Sequence, residues 1–129
     1  NKPIQTDTPD LKFELDSNKV NFFKSFIKDC IDSNVNLYIV ASPRFIKNVE
    51  KDPSVKIATE ITDEYNIPFY NYSSDTLFLK HHEYFYDRVH LNDRGARVFS
   101  NKVIDKILQN EELNSISKKY DWSAEKIKK

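Results

Sequence analysis

The sequence predicts an α/β fold in which helices flank a parallel sheet. Two observations carry this prediction. Apolar residues recur at helical spacing in some segments and form short β-rich runs in others, and residues 35–72 contain a strand, a helix and a second strand in succession. A helix between two such strands forms a right-handed crossover that leaves the strands parallel. The composition supports a folded chain, because 39% of the 129 residues are hydrophobic and 13% are aromatic.

The first predicted element is a helix over residues 18–33. Its apolar residues recur every three or four positions and form one face: Val20, Phe23, Phe26, Ile27, Cys30 and Ile31. Cys30 is therefore expected to be a buried, unreactive thiol. Because it is the only cysteine, no internal disulfide can form, and the redox compartment stays undetermined. Residues 1–16 lack a sustained period, so we expect an extended segment leading into this helix.

The strand–helix–strand unit follows this helix. Residues 35–41 form a β-rich apolar run, which predicts a buried strand. Helical spacing resumes over residues 57–65, with Pro53 near the start of that helix. Residues 67–72 predict the second strand, which tolerates a proline near its beginning.

The C-terminal part is predicted to be helical. Apolar residues recur at helical spacing after a good N-cap residue, Asn92: Ala96, Phe99, Val103 and Ile107. We expect a helix over residues 93–108 that residues 111–119 either continue or restart. Residues 120–129 form a polar tail, so the predicted domain extends over residues 17–119.

The charge composition argues against two classes of partner. The chain has 20 acidic and 20 basic residues and is formally neutral, so its summed charge favours neither nucleic acid nor an anionic membrane surface. A solvated surface of mixed sign is the expectation. No apolar run approaches the length of a transmembrane segment.

The strongest chemical signal is Asp87-Arg88-Val89-His90, followed by Leu91-Asn92. An aspartate can accept a hydrogen bond from one imidazole nitrogen and fix the tautomer, while the other nitrogen takes a proton from a hydroxyl nucleophile. The pair therefore predicts the acid–base half of an acyl-transfer site, with His90 as the base and Asp87 as its orienting group. The alternative for His90 is a surface or helix-capping histidine.

The run FYDRVHLNDRGARVFS, residues 85–100, resembles the last motif of the SGNH (GDSL-type) hydrolases. It is most similar to the members related to bacterial polysaccharide acyl-transfer and D-alanylation proteins. The resemblance covers roughly residues 18–110 and implies a flavodoxin-like sheet whose final Asp–His loop projects over the carboxyl ends of the strands. It also implies catalytic roles for Asp87 and His90, ester chemistry without a cofactor, and work that is often extracytoplasmic.

Other motifs of that family are missing from this sequence. An SGNH hydrolase has a serine in a Gly-Asp-Ser-like turn, a glycine that donates to the oxyanion hole, and an asparagine in a Gly-x-Asn-Asp-like segment. With Gly95 as the only glycine, none of these motifs can be found here. We therefore expect the C-terminal portion of a longer protein, in keeping with a chain that lacks methionine and begins at Asn1. A degenerate stand-alone relative is the alternative.

An incomplete sheet has consequences for association. Its open edge or apolar face predicts self-association or pairing with a missing N-terminal half.

Further candidate residues follow the predicted strands, where ligands bind in open α/β sheets. Ser42 is a candidate substrate-binding residue or substitute nucleophile, although a strand-terminating role before Pro43 is favoured. Arg44 either orients an anionic substrate or is a solvated surface charge. Ser73 and Ser74 are predicted to be turn residues.

A metal site is the rival chemistry in this part of the chain. Five potential ligands crowd one segment: His81, His82, Glu83, Asp87 and His90. Their spacing matches no helical zinc motif, and two adjacent histidines on a strand point in opposite directions. We therefore predict no metal.

Two hypotheses about function follow. The first is that the chain supplies the Asp–His part of an SGNH-type esterase or O-acyltransferase that acts on a small-molecule ester or a glycan. The second is a non-catalytic α/β module that binds a glycan or a partner protein.

Overall fold

A computed structural model describes residues 14–46 and 48–119 of this protein. The structure divides into two compact units, Asn1–Ala96 and Arg97–Lys129. The first unit contains the sheet and the Asp87–His90 segment. The predicted tail at residues 120–129, and all but the last three residues of the predicted extended segment, lie outside the described residues.

Helix α1 extends over Ser17–Asp32, close to its predicted bounds. Asp16 caps it, because its Oδ1 accepts a hydrogen bond from the Asn18 N–H at 2.9 Å. Ile27 on the predicted apolar face is fully buried, whereas Phe26 on the same face is 51% exposed. Cys30 is only partly buried, so the expectation of a buried thiol is wrong: Phe26 on the same face of α1 is also exposed, so that face is incompletely covered by the described residues.

Strand β1, Ile39–Ala41, pairs in parallel with strand β2, Phe69–Asn71. Helix α2, Pro53–Glu64, connects them. This confirms the predicted α/β class at the level of a two-stranded parallel sheet with helices.

Both strands are shorter than predicted, and the backbone explains why. The N–H of Val35 donates to the Cys30 carbonyl at 2.9 Å, so the first residue of the predicted strand completes the end of α1 instead. At the second strand, Pro68 has no N–H to donate and contributes only its carbonyl, which accepts from the Ile39 N–H at 2.9 Å.

Asparagine follows the two long helices α1 and α2 in a chain with one glycine. Asn34 and Asn66 have left-handed backbones, each with φ of 54°. Beyond α2, the N–H of Ile67 donates to the Thr62 carbonyl at 2.8 Å, the same bond that Val35 makes beyond α1. Both helices therefore end in a Schellman motif built on asparagine.

Three short elements are not predicted by the sequence pattern. Helix α3 covers Thr76–Leu79, and single 3-10 turns cover Val49–Lys51 and His82–Tyr84. Each is too short to show an apolar period. Two of them contribute to the small core, Val49 from the first 3-10 turn and Phe78 from α3. The buried apolar residues of that core are Ile27, Val49, Ile61, Phe78 and Phe85.

Helix α4, Asp93–Lys119, is continuous, so residues 111–119 continue the predicted helix and do not restart it. Its first turn belongs to the first unit. Within the second unit, several apolar side chains of the helix are exposed: Ile104, Leu108, Leu113 and Ile116. Over the residues that the structure describes, no helix combines the length and apolar character needed to cross a membrane.

Candidate functional site

Asp87 and His90 make the predicted contact. The Nδ1 atom of His90 lies 2.8 Å from Asp87 Oδ2 and 3.0 Å from Asp87 Oδ1. Oδ1 also accepts hydrogen bonds from the backbone N–H groups of Val89 and His90, both at 2.8 Å. The intervening backbone therefore turns around the carboxylate, which is what brings two residues at this spacing together.

These contacts favour the ionised Asp87 carboxylate and orient the His90 ring. The hydrogen bond from His90, followed by the one from the Val89 N–H, lowers the pKa of Asp87 below its usual value. An ionised carboxylate only accepts hydrogen bonds, so the His90 Nδ1 atom donates in this contact, and the Nε2 atom points away from Asp87. The His90 side chain is 71% exposed, and among the described residues only Asp87 is hydrogen-bonded to its ring. The ring therefore presents its Nε2 edge to solvent.

The loop lies at the carboxyl end of β1, as predicted. Phe45 follows that strand, and its N–H donates to the Arg88 carbonyl at 2.7 Å. The Phe45 ring also packs on Phe85, with centroids 5.5 Å apart. At the base of the loop, Phe85 and Leu91 form an antiparallel bridge. The sheet edge and the Asp87–His90 segment are thus joined by backbone and side-chain contacts.

The serines beside the strand ends have different environments. Ser73 is 2% exposed, and both its hydroxyl and its N–H donate to Asn71 Oδ1, at 2.7 Å and 3.0 Å. That arrangement supports the predicted turn role. Ser42 and Ser74 are exposed. Within the described residues, none of the three is hydrogen-bonded to His90.

Arg44 is neither free nor simply solvated. Its Nη2 atom lies 2.6 Å from Oδ2 of Asp52, a side chain that is 4% exposed. Burial by itself would raise the pKa of Asp52, but hydrogen bonds from Ser54 and Arg44 hold that pKa below its usual value. Asp52 also caps α2, because its Oδ1 accepts from the Ser54 N–H at 2.8 Å. Arg44 is therefore fixed at the strand end by the N-terminus of a helix.

A cavity of about 480 Å³ lies beside this ion pair. Its polar lining includes Ser42, Arg44, Asp52 and Ser54, and its apolar lining includes Phe23. The two residues predicted to bind substrate, Ser42 and Arg44, therefore share one concave surface at the end of β1. Asp52 and Phe45 were not predicted to contribute to this region. Asp before Pro is a helix-start signal in the sequence, whereas nothing there indicates that Phe45 contacts Arg88.

The other histidines have a local partner. The Nδ1 atom of His81 lies 2.7 Å from Glu83 Oε1, and the Nδ1 atom of His82 lies 3.9 Å from Glu83 Oε2. The hydrogen bond from His81 lowers the pKa of Glu83. Across residues 14–46 and 48–119, no three His, Cys, Asp or Glu side chains form a group that could hold a metal ion.

Comparison with protein-family models, with curated proteins and with solved structures found no match to this chain.

Proposed function

We propose that this chain supplies the Asp–His part of a Ser-His-Asp triad in an SGNH-type esterase or O-acyltransferase. The observation that supports the proposal is the contact between His90 Nδ1 and Asp87 Oδ2, at 2.8 Å, in a loop that leaves the ring exposed at the carboxyl end of β1. The finer assignment of a flavodoxin-like SGNH sheet belongs to the same proposal. The two parallel strands are compatible with it.

In this proposal His90 is the general base and Asp87 orients it. The Nε2 atom accepts the proton of a serine hydroxyl as the serine oxygen bonds to the ester carbonyl carbon. The imidazolium, stabilised by the Asp87 carboxylate, then gives that proton to the departing alkoxide. Water or a sugar hydroxyl then loses a proton to Nε2 as its oxygen bonds to the acyl carbon. The bond between that carbon and the serine oxygen breaks, and the serine oxygen takes the proton back from Nε2.

The nucleophile comes from a different polypeptide segment in this proposal. Ser73 is buried and hydrogen-bonded to Asn71, so it is not available. Ser42 is exposed at a strand end but precedes Pro43 and lacks the sharp glycine-bearing turn that presents a serine nucleophile. The donors of an oxyanion hole would come from the same outside segment as the serine.

Fluorophosphonate labelling of the whole gene product, with any sequence encoded before Asn1, tests the proposal. The coding sequence that adjoins Asn1 should encode a Gly-Asp-Ser-like motif, and its serine should react with a fluorophosphonate probe. His90→Ala should reduce the labelling rate by about 1000-fold or more. His82→Ala is the matched control and should leave the rate unchanged, because His82 is 64% exposed and has only a long contact with Glu83.

Two outcomes would contradict the proposal. One is the absence of any such motif next to Asn1, and the other is labelling that does not depend on His90. Either would favour the non-catalytic module that binds a glycan or a partner protein.

A further inference from the structure

Asn92 uses both ends of its side-chain amide. Its Oδ1 accepts a hydrogen bond from the Gly95 N–H at 2.9 Å, which caps the first turn of α4. Its Nδ2 donates to the Glu83 carbonyl at 2.7 Å and, more weakly, to the Phe85 carbonyl at 3.4 Å. The acceptor end therefore serves the helix, and the donor end holds the chain that leads into the Asp87–His90 loop.

The backbone of Asn92 strengthens the same connection. Its N–H donates to the Tyr84 carbonyl at 2.9 Å, and its carbonyl accepts from the Ala96 N–H at 2.8 Å. One residue thus joins the segment before the loop to the helix after it. The Asp87–His90 contact lies between these two attachments.

The helix approaches Tyr84 at a position that only glycine permits. A Cβ atom on Gly95 would collide with the Tyr84 carbonyl oxygen and would lie 2.9 Å from the Tyr84 Cβ. Gly95 is buried, and the Arg94 guanidinium lies over the Tyr84 ring at 5.3 Å from its centroid. This close approach brings the carbonyls beside Tyr84 within reach of the Asn92 side chain.

We propose that Asn92 is a positioning residue for the Asp87–His90 pair, and that it acts by fastening the entrance of the loop to the first turn of α4. The inference rests on the proposed function of that pair. An amide suits this position, because the Gly95 N–H requires an acceptor and the Glu83 carbonyl requires a donor, and the amide offers these on two separate atoms. Aspartate can cap the helix equally well but cannot donate to a carbonyl.

Asn92→Asp separates the two functions of this side chain. The variant keeps the acceptor for Gly95 and replaces the donor with a carboxylate oxygen that faces the Glu83 and Phe85 carbonyls. The expected result is a folded protein with its helix content retained, in which the His90 ring loses its preference for the proton on Nδ1. Long-range 15N–1H NMR of the ring measures that preference. Asn36→Asp is the matched control, because Asn36 is exposed and distant in sequence from the loop.

In the protein as encoded, the same variant should lower kcat by about 100-fold with little change in KM, as expected when a general base is misplaced by about 1 Å. The NMR signature requires no serine, so it separates this inference from the proposed function. If Asn92→Asp loses the Nδ1–H preference and no serine is labelled, the positioning role of Asn92 is supported and the triad is contradicted. Serine labelling that depends on His90 but not on Asn92 would support the triad and contradict the positioning role of Asn92.

A measurement on the unaltered chain covers the case in which Asn92→Asp does not fold. The side-chain NH₂ protons of Asn92 should exchange with solvent at least tenfold more slowly than those of Asn36, since a bound amide is protected from exchange. Equal rates would show that the tether is absent in solution and would overturn the proposal. So would a folded Asn92→Asp variant whose His90 ring is unchanged.

Discussion

The N–H of Phe45 donates to the Arg88 carbonyl at 2.7 Å, so residues 43 positions apart are joined by one backbone hydrogen bond. This bond attaches the loop that holds His90 to the end of β1. Arg44, the preceding residue, donates from its own N–H to the Ser73 carbonyl at 3.2 Å beyond β2. The segment after β1 is therefore bonded both to the chain beyond β2 and to the Asp87–His90 loop, and it positions that loop.

The 129-residue chain assayed alone should show no turnover of short-chain aryl esters above a buffer blank. His90 has a base nitrogen, but no serine of the described residues is hydrogen-bonded to it, so a covalent route is lacking. Spectrophotometric release of the aryl alcohol is the measurement. Turnover that survives His90→Ala would indicate a contaminating esterase. Turnover that disappears in Ser42→Ala would instead show that Ser42 is the nucleophile.

The Asp87 carboxylate should contribute to stability in a pH-dependent way. Its pKa is lowered in the folded state, chiefly by the hydrogen bond from His90. A lowered folded pKa means that the contribution is fully present above the unfolded value of about 3.9 and is lost as the pH falls through the folded pKa. A 13C NMR titration of the Asp87 carboxyl should give a midpoint below 3.9. The midpoint should rise in His90→Ala but stay below about 3.9, because the backbone N–H groups of Val89 and residue 90 still donate to the carboxylate. A midpoint unchanged by that substitution would assign the whole effect to those N–H groups.

The Arg44–Asp52 pair should respond asymmetrically to substitution. Arg44→Met leaves a carboxylate that is 4% exposed without its cation, and we expect a loss of about 3 kcal/mol in the free energy of unfolding. Asp52→Asn keeps a capping oxygen for α2 and frees a guanidinium that is 24% exposed and can be hydrated, so about 1 kcal/mol is expected.

Urea denaturation measures both variants of that pair. Lys56→Met is the control and should leave the free energy of unfolding nearly unchanged. Lys56 contacts Glu60, but the Lys56 side chain is 80% exposed and the Glu60 side chain 56% exposed. Equal losses for Arg44→Met and Asp52→Asn would contradict the view that the buried carboxylate is the costly partner.

The isolated chain should self-associate at micromolar concentrations. Phe22 is 81% exposed, and β1 and β2 form a two-stranded sheet in the described residues, which leaves strand edges available for pairing. Multi-angle light scattering should give a mass above the 15.2 kDa of one chain, and Phe22→Lys should shift it toward that value. A monomer with a cooperative thermal transition would contradict the view that the exposed apolar residues and strand edges of this chain need a partner.

Much of the first unit was predictable because its determinants are local. The apolar period of α1, the proline at the start of α2 and the β-rich runs each act within a few residues, and these elements occur close to their predicted positions. The Asp87–His90 contact belongs to the same class. A turn of backbone over three positions brings the two side chains together.

The tertiary structure decided the features that depend on distant partners. Whether Phe26 is covered, whether Arg44 is solvated and whether Ser73 is accessible depend on which surfaces meet, and no period in the sequence encodes that. The sequence by itself determined the α/β class and the local chemistry of the Asp87–His90 turn. Long-range contacts placed that turn at the end of the sheet, namely the bond between Phe45 and Arg88 and the packing of Phe45 on Phe85, because contacts between distant segments depend on how the whole chain packs.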